Sequence, residues 1–207
     1  MRRGRLAVLL TAATLMSACA TLPVGPDGLS YVERRTALEA VDAWEMHGRL
    51  AVDTADGDFQ GSFNWRQEAD ALDLTVRGPL GNGVLRVAGT PSALRVTARG
   101  ETRMLSDPEE DLSALLGWWL PVASLPAWLR GLPDGDFGAA TEPGADGTLA
   151  AIEQRLWHVA YPAYQRRPLA GVANGVLIPR RIDLAHGELE LRLTIDRWEP
   201  ATLATSP

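Results

Sequence analysis

The sequence predicts a mostly β (α+β) fold, an antiparallel sheet with an N-terminal helix and a central helical insert. Three observations carry this. Apolar and polar residues alternate strictly over long stretches on both sides of the middle of the chain, as in Leu72-Asp73-Leu74-Thr75-Val76 and Leu189-Glu190-Leu191-Arg192-Leu193. Gly and Asp turn residues separate these stretches at short, regular spacing, which is the pattern of antiparallel strands with one apolar face. The alternation breaks once, between 107 and 131, where helix start and stop signals stand instead. The 207 residues, 46% hydrophobic and 22% charged, are enough to bury one ordinary core.

The elements follow in order. Arg2, Arg3 and Arg5 precede an apolar run from Leu6 to Met16 that ends in Ser17-Ala18-Cys19. A basic start, a short apolar stretch and small residues describe an export signal, too short to span a bilayer, where about 20 apolar residues are needed. Small residues directly before a Cys also resemble the bacterial lipobox, with Met16 standing where that motif usually has Leu. The lipobox implies cleavage after residue 18 and a diacylglycerol and an N-acyl chain on Cys19. Loss of those 18 residues leaves 189, and loss of three Arg takes the net charge from −6 to −9. By resemblance to Gram-negative lipoproteins, Ala20 rather than Asp after the Cys favours the outer membrane, on its periplasmic face. Residues 19–29 read as a Pro/Gly tether, whose ten residues after the Cys reach roughly 35 Å.

From 30 to 199 the chain reads as a single domain. Ser30 and Glu33 form an S-x-x-E capping box, with Tyr31, Leu38 and Val41 on one helix face. Glu33, Arg34, Arg35, Glu39 and Asp42 are expected on a solvated opposite face. Alternation then places strands near 43–53, 58–67, 71–77, 83–89, 93–99 and 101–105. Asp107-Pro108-Glu109-Glu110 starts a helix, with Pro at the first position and acids facing the dipole. It is expected to run through Leu112, Leu115, Leu116, Trp118 and Trp119 to Pro121. A second short helix fits Ser124 to Arg130, stopped by Gly131. Residues 132–147 read as a Gly/Pro/Asp loop, and strands return near 148–154, 156–163, 176–185 and 188–198.

Composition excludes several classes of function. The acidic balance argues against nucleic acid, which demands a basic face. All 20 basic residues are Arg, so Schiff-base and P-loop chemistry are out. One Cys excludes an internal disulfide and a thiolate metal cage. His47, His158 and His186 each stand alone, with no partner at ligand spacing. Ser62 is not in a nucleophile elbow, Gly81-Asn82-Gly83 is a turn, and the carboxylates at 107–111 cap a helix. No catalytic or metal site is assigned, and the chain is read as a non-enzyme with no cofactor beyond the lipid on Cys19.

What stands out is apolar surface. The sheet offers one apolar face and the insert a second that ends in Trp118-Trp119. Either they cover each other as a dry core, or the sheet curves around a cavity with the insert as its lid; Trp suits a lipid pocket. A further oddity is Gly78-Pro79-Leu80-Gly81, where the glycines and proline explain a turn but not an apolar residue at its tip.

Taken together these residues resemble the LolB family within the LolA/LolB-like lipoprotein localisation proteins. The resemblance rests on the lipobox, Trp44 through Gly48-Arg49-Leu50, Phe63-x-Trp65-x-Gln67, Gly78-Pro79-Leu80-Gly81 and Pro121-Val122. It continues through Leu125-x-x-Trp128-Leu129-Arg130-Gly131-Leu132-Pro133, Gln154-x-x-Trp157-x-Val159-x-Tyr161-x-x-Tyr164 and Ile195-x-x-Trp198. It implies an unclosed antiparallel β-barrel wrapped around a helical plug. It also implies an outer-membrane acceptor that takes lipoproteins from the periplasmic carrier LolA and inserts them into that membrane. The implied partners are the carrier, the cargo's acyl chains and outer-membrane lipids, and a monomer is expected. Leu80, with Gly78, Pro79 and Gly81, maps onto a membrane-delivery loop. Phe63, Trp65, Leu74, Leu115, Leu116, Trp118, Trp119, Trp128, Leu191 and Leu193 are the candidate cavity residues. Two other readings stay open: a soluble carrier of LolA type, which lacks the lipidated Cys, and a structural outer-membrane lipoprotein with a filled core.

Overall fold

A computed structural model of the chain describes residues 28–55, 57–79 and 84–201. Cys19, Leu80 and Gly81 therefore lie outside the described residues.

Helix α1 (Tyr31–Glu39) begins at the expected box: Ser30 Oγ accepts from Glu33 N at 3.3 Å and Glu33 returns a bond to Ser30 N at 2.7 Å. Six strands follow without interruption: β1 (Ala43–Thr54), β2 (Gly57–Glu68), β3 (Ala71–Arg77), β4 (Val84–Thr90), β5 (Ala93–Ala98) and β6 (Glu101–Met104). The insert holds α2 (Pro108–Leu116) and α3 (Leu125–Leu129). The chain then completes β7 (Ala139–Pro143), β8 (Leu149–Gln154), β9 (Trp157–Leu169), β10 (Val172–His186) and β11 (Leu189–Pro200). All ladders are antiparallel, in one 11-stranded sheet ordered β6-β5-β4-β3-β2-β1-β11-β10-β9-β8-β7. The first and last strands pair in the middle. The two free edges, β6 and β7, are joined by the helical insert, so the barrel is unclosed and the helices cover its concave side.

Register explains the curved wall. Trp198, Met46, Trp65, Leu74, Val87 and Val96 face one another across six neighbouring strands, one apolar row on the inner face. One row further along β1, Gly48 sits at a bulge against β11. A Cβ there would collide with the Thr194 carbonyl and stand 2.7 Å from Phe63 Cε1, so only Gly lets the ring lie against the backbone.

Three expectations need correction. Arg34 is fully buried rather than solvated. Its guanidinium donates to the carbonyls of Leu177 (2.8 Å), Gly131 (3.3 Å) and Arg130 (2.9 Å), and it lies over the Tyr164 ring. The partners are remote in sequence, so helical periodicity alone assigned it to water. Helix α2 stops at Leu116 and does not reach Pro121, because Gly117 takes the left-handed conformation (φ 84°) that closes a helix. The 132–147 segment is not all loop: Ala139–Pro143 pairs with β8 as an edge strand. All five of its residues are exposed, so it has no buried face to leave an alternating pattern.

The antiparallel order also sorts the connections. Those at 55–56, 78–83, 99–100, 155–156 and 187–188 share one end of the sheet, and α1 with the turns at 69–70, 91–92 and 170–171 marks the other. The second end is filled. Trp44 stacks on Trp65 there at 6.3 Å, and a further packed region lies under α3 beside the 155–156 turn, where Trp128 meets Trp157 at 6.3 Å.

Candidate functional site

Between the sheet and the insert lies a cavity of about 430 Å³. Its floor is the inner face of the strands near the first end: Leu50 and Val52 of β1, Phe59, Phe63 and Trp65 of β2, and Leu74 and Val76 of β3. Leu85 and Ala98 extend it on one side, and Leu184, Leu191 and Leu193 on the other. Its roof is the insert, through Leu116, Trp118, Leu120, Leu125 and Leu129. Arg99, in the β5–β6 turn, is the one charged residue in this wall among the described residues. Val52, Phe59, Val76, Leu85 and Leu191 sit toward the end of the sheet that carries the 78–83 connection, and Phe59 is 39% exposed. The cavity therefore opens at that end, the mouth.

Of the candidates, Phe63, Trp65, Leu74, Leu116, Trp118, Leu191 and Leu193 come together in this wall, and Leu115, Trp119 and Trp128 stand outside it. Leu112 and Leu116, a turn apart, lie on the packed side of α2; Leu115, about 100° round from Leu116, is 42% exposed. Trp119 turns away to pack on His186, at 5.6 Å between ring centroids. Trp128 is core: it is buried, and its indole donates to Gln154 Oε1 at 2.8 Å. Gly78 is buried and Pro79 exposed where β3 leaves the sheet. Sequence reasoning missed Leu50, Val52, Phe59, Val76 and Leu85. Continuing the inward parity of Phe63 and Trp65 through the ladders would have found them. Arg99 carried its own signal, an Arg-Gly pair between two alternating runs, which reads as a two-residue hairpin turn.

The roof is fastened unequally. The α3 side is held by buried polar groups. Gln154 satisfies its whole amide there, accepting from Trp128 and from Asp134 N (2.9 Å) and donating to the carbonyls of Asp134 and Phe137, both at 2.8 Å. Tyr161 donates to the Trp128 carbonyl at 3.0 Å, and Arg130 to the Leu38 carbonyl at 2.7 Å. Burial lowers the Arg130 pKa and raises that of Tyr161. Helix α2 buries Pro108 and Leu112, and its polar link to the strands is Glu109, which takes a two-pronged ion pair from Arg155 at 3.0 and 2.7 Å. Arg155 in turn lies over the rings of Phe137 (4.3 Å) and Trp119 (5.1 Å).

The wall offers no acid–base pair, and no group of three His, Cys, Asp or Glu close enough to hold a metal occurs among the described residues. What it offers is an apolar container with one cation at its rim. No helix among the described residues is long and apolar enough to cross a membrane.

Comparison with known proteins gives a consistent picture. The family described as "Outer membrane lipoprotein LolB" matches residues 42–198. The outer-membrane lipoprotein LolB of Alkalilimnicola ehrlichii is 35% identical over 97% of this chain and 100% of that protein. That of Stutzerimonas stutzeri is 33% identical over 92% and 93%, and that of Pseudomonas aeruginosa 31% over 97% and 98%. Among solved structures, a LolA-superfamily protein from Nitrosomonas europaea aligns over 82% of this chain and 94% of its own, with a TM-score of 0.50 and 8% identity. A DUF1329-family protein from Desulfovibrio piger aligns over 85% and 92% with a TM-score of 0.51 and 7% identity. At such identity these two speak for the fold alone.

Proposed function

The chain belongs to the LolB family of outer-membrane lipoproteins, and from that premise we propose how it works. It receives lipoproteins from a LolA-type periplasmic carrier, holds their acyl chains in the cavity and releases them into the outer membrane. The observation that carries this reading is the cavity itself, walled by apolar side chains and open at one end. Each methylene exposed to water costs about 0.8 kcal/mol, so a lipid anchor moves between proteins only if both ends of the transfer keep it dry. Such a step exchanges one apolar surface for another and calls for no bond to break. The volume of 430 Å³ lies in the lower half of the ~300–1,000 Å³ that drug-sized ligands occupy. Three acyl chains therefore require the roof to move, and α2, whose polar link to the strands is one ion pair while α3 has several buried polar links, is the part that gives.

The chain works as a monomer on this reading, held at its destination by the acylated Cys19. Its tether of about ten residues, roughly 35 Å long when extended, lets the mouth reach the bilayer. Leu80 falls in the sequence between β3 and β4, whose ends at Arg77 and Val84 pair at the mouth end, which suits a role in delivery. The decisive experiment adds the full chain carrying Cys19→Ala to a LolA-type carrier loaded with lipoprotein. Cargo is expected to move to the variant; if all of it stays on the carrier, the reading fails. Leu80→Glu in the acylated protein is expected to leave that acceptance step unchanged and to lower insertion into vesicles. Equal loss of both steps would remove the loop's separate role.

A further inference from the structure

Arg99 is out of place in an otherwise apolar wall. It occupies the first position of the two-residue turn between the paired residues Ala98 and Glu101, with φ of +53° followed by +84° at Gly100. Both central residues in the left-handed region make this a tight hairpin of the type where Asn-Gly is ordinary and Arg is not. The turn stands at the mouth, beside Ala98 and Leu85, which continue the apolar row from Val76. The side chain is exposed, and among the described residues it has neither a hydrogen bond nor an ion pair. Of the other cations at this end, Arg155 pairs with Glu109, Arg192 with Glu190, and Arg103 lies beside Glu101; Arg77 follows the inward Val76 on β3 and so stands on the outer face of the sheet, away from the cavity. The cavity mouth thus holds an uncommitted guanidinium, five donors in a fixed fork suited to a carboxylate or phosphate.

We propose that the cavity binds anionic amphiphiles, with an acyl chain in the apolar space and a carboxylate or phosphate paired to Arg99 at the rim. This rests on the reading of the cavity as a lipid container and adds a headgroup preference to it. A free fatty acid and a phospholipid share this chemistry. Either would occupy the cavity while no cargo is present and would have to leave before cargo entered.

The test measures binding of cis-parinarate and of its methyl ester to the full chain carrying Cys19→Ala, by fluorescence. The carboxylate is expected to bind about fivefold more tightly than the ester, the size of one charge-assisted pair at an exposed site. Adding Arg99→Gln is expected to remove that preference and leave the ester unchanged. Equal binding of acid and ester to the Arg99 protein overturns the proposal while the cavity stands. Loss of both probes in equal measure on Arg99→Gln also overturns it, by reducing the residue to packing. Failure of both probes to bind the Arg99 protein sinks the cavity reading itself. Hexadecyl phosphate and palmitate as competitors separate the two sources: stronger displacement by the phosphate supports a phospholipid, and stronger displacement by palmitate a fatty acid. Inorganic phosphate at millimolar concentration is expected to displace neither probe. Displacement of parinarate by it alone would show an anion site without the chain, and the proposal would fall.

Discussion

The packed core and the mouth of the barrel use the same residue types for opposite purposes. In the packed core, large side chains meet each other and many of their polar atoms find partners: Trp65 and Trp128 each donate to a glutamine, and Arg34 reaches three carbonyls. At the mouth, Leu50, Val52, Leu74, Val76, Leu191 and Leu193 point inward yet stay only half-buried. A leucine left half in water forgoes about 1 kcal/mol of burial. The mouth thus keeps apolar surface in reserve for a guest, and the packed core supplies the stability that makes such reserve tolerable. Stability and ligand binding should therefore be separable by mutation.

The largest effect is expected where packing and polar satisfaction coincide. Trp128→Ala empties the volume of an indole in the core and removes the donor to Gln154 Oε1. The expected loss is about 4 kcal/mol, which for a chain of this size lowers Tm by roughly 8–16 °C. Urea or thermal unfolding reads it, and a fall under about 1 kcal/mol would show that core and mouth do not differ as described.

A second, smaller effect comes from alkali. Burial pushes the Tyr164 phenol up to about 12, and Tyr161 is raised well above its ordinary 10. Both donate to backbone carbonyls, of Leu149 and Trp128. The unfolded chain ionises these phenols near pH 10 while the folded chain keeps them neutral. Stability is thus intact below pH 10 and falls as pH rises toward 12, by about 2–3 kcal/mol for Tyr164 alone. Tyr164→Phe should flatten that part of the stability–pH curve.

How far the sequence revealed this division depends on the residue. Strands with one buried face were largely readable: β3 falls at 71–77 as its alternation says, whereas β9 runs on to Leu169 past the expected 163, and the expected helix to Pro121 passed over Gly117, which ends α2. What alternation cannot tell is whether the inward face meets other side chains or a void. Trp118 and Trp128 look alike in the sequence, yet one lines the cavity and the other is core. Arg34 was illegible for a related reason, because its acceptors lie 96 to 143 residues away. Edge strand β7 left no pattern because it buries nothing. The single cation in the wall was marked by its turn, but only the curvature of the sheet brings it to the cavity.

Third in size is the fastening of the roof. Arg155 and Glu109 are 15% and 24% exposed, and their pair ties α2 to the β8–β9 turn. Glu109→Gln keeps the shape and removes the charge, at an expected cost of about 1–2 kcal/mol. Because α3 keeps its own anchors, the change should loosen α2 alone. Hydrogen exchange is expected to speed up across 108–116 and to stay unchanged across 125–129; equal acceleration of both would mean that the insert moves as one unit.

The smallest stability effect is expected at the mouth, together with the largest effect on binding. Leu191 and Leu193 are half-buried in the cavity wall, so a larger side chain there grows into space rather than into a packed neighbour. Overpacking costs about 1–3 kcal/mol in a filled core, but Leu191→Trp should shift stability by less than about 1 kcal/mol because part of the added ring gains burial. The same ring occupies space that an acyl chain needs. Binding of an apolar probe such as methyl parinarate should drop at least tenfold, and cargo acceptance with it. A variant as stable as the parent that no longer holds the probe would separate core and mouth cleanly. If Leu191→Trp instead unfolds the protein as Trp128→Ala is expected to, the wall is packed core, and the space beneath the insert is too slight to store a lipid.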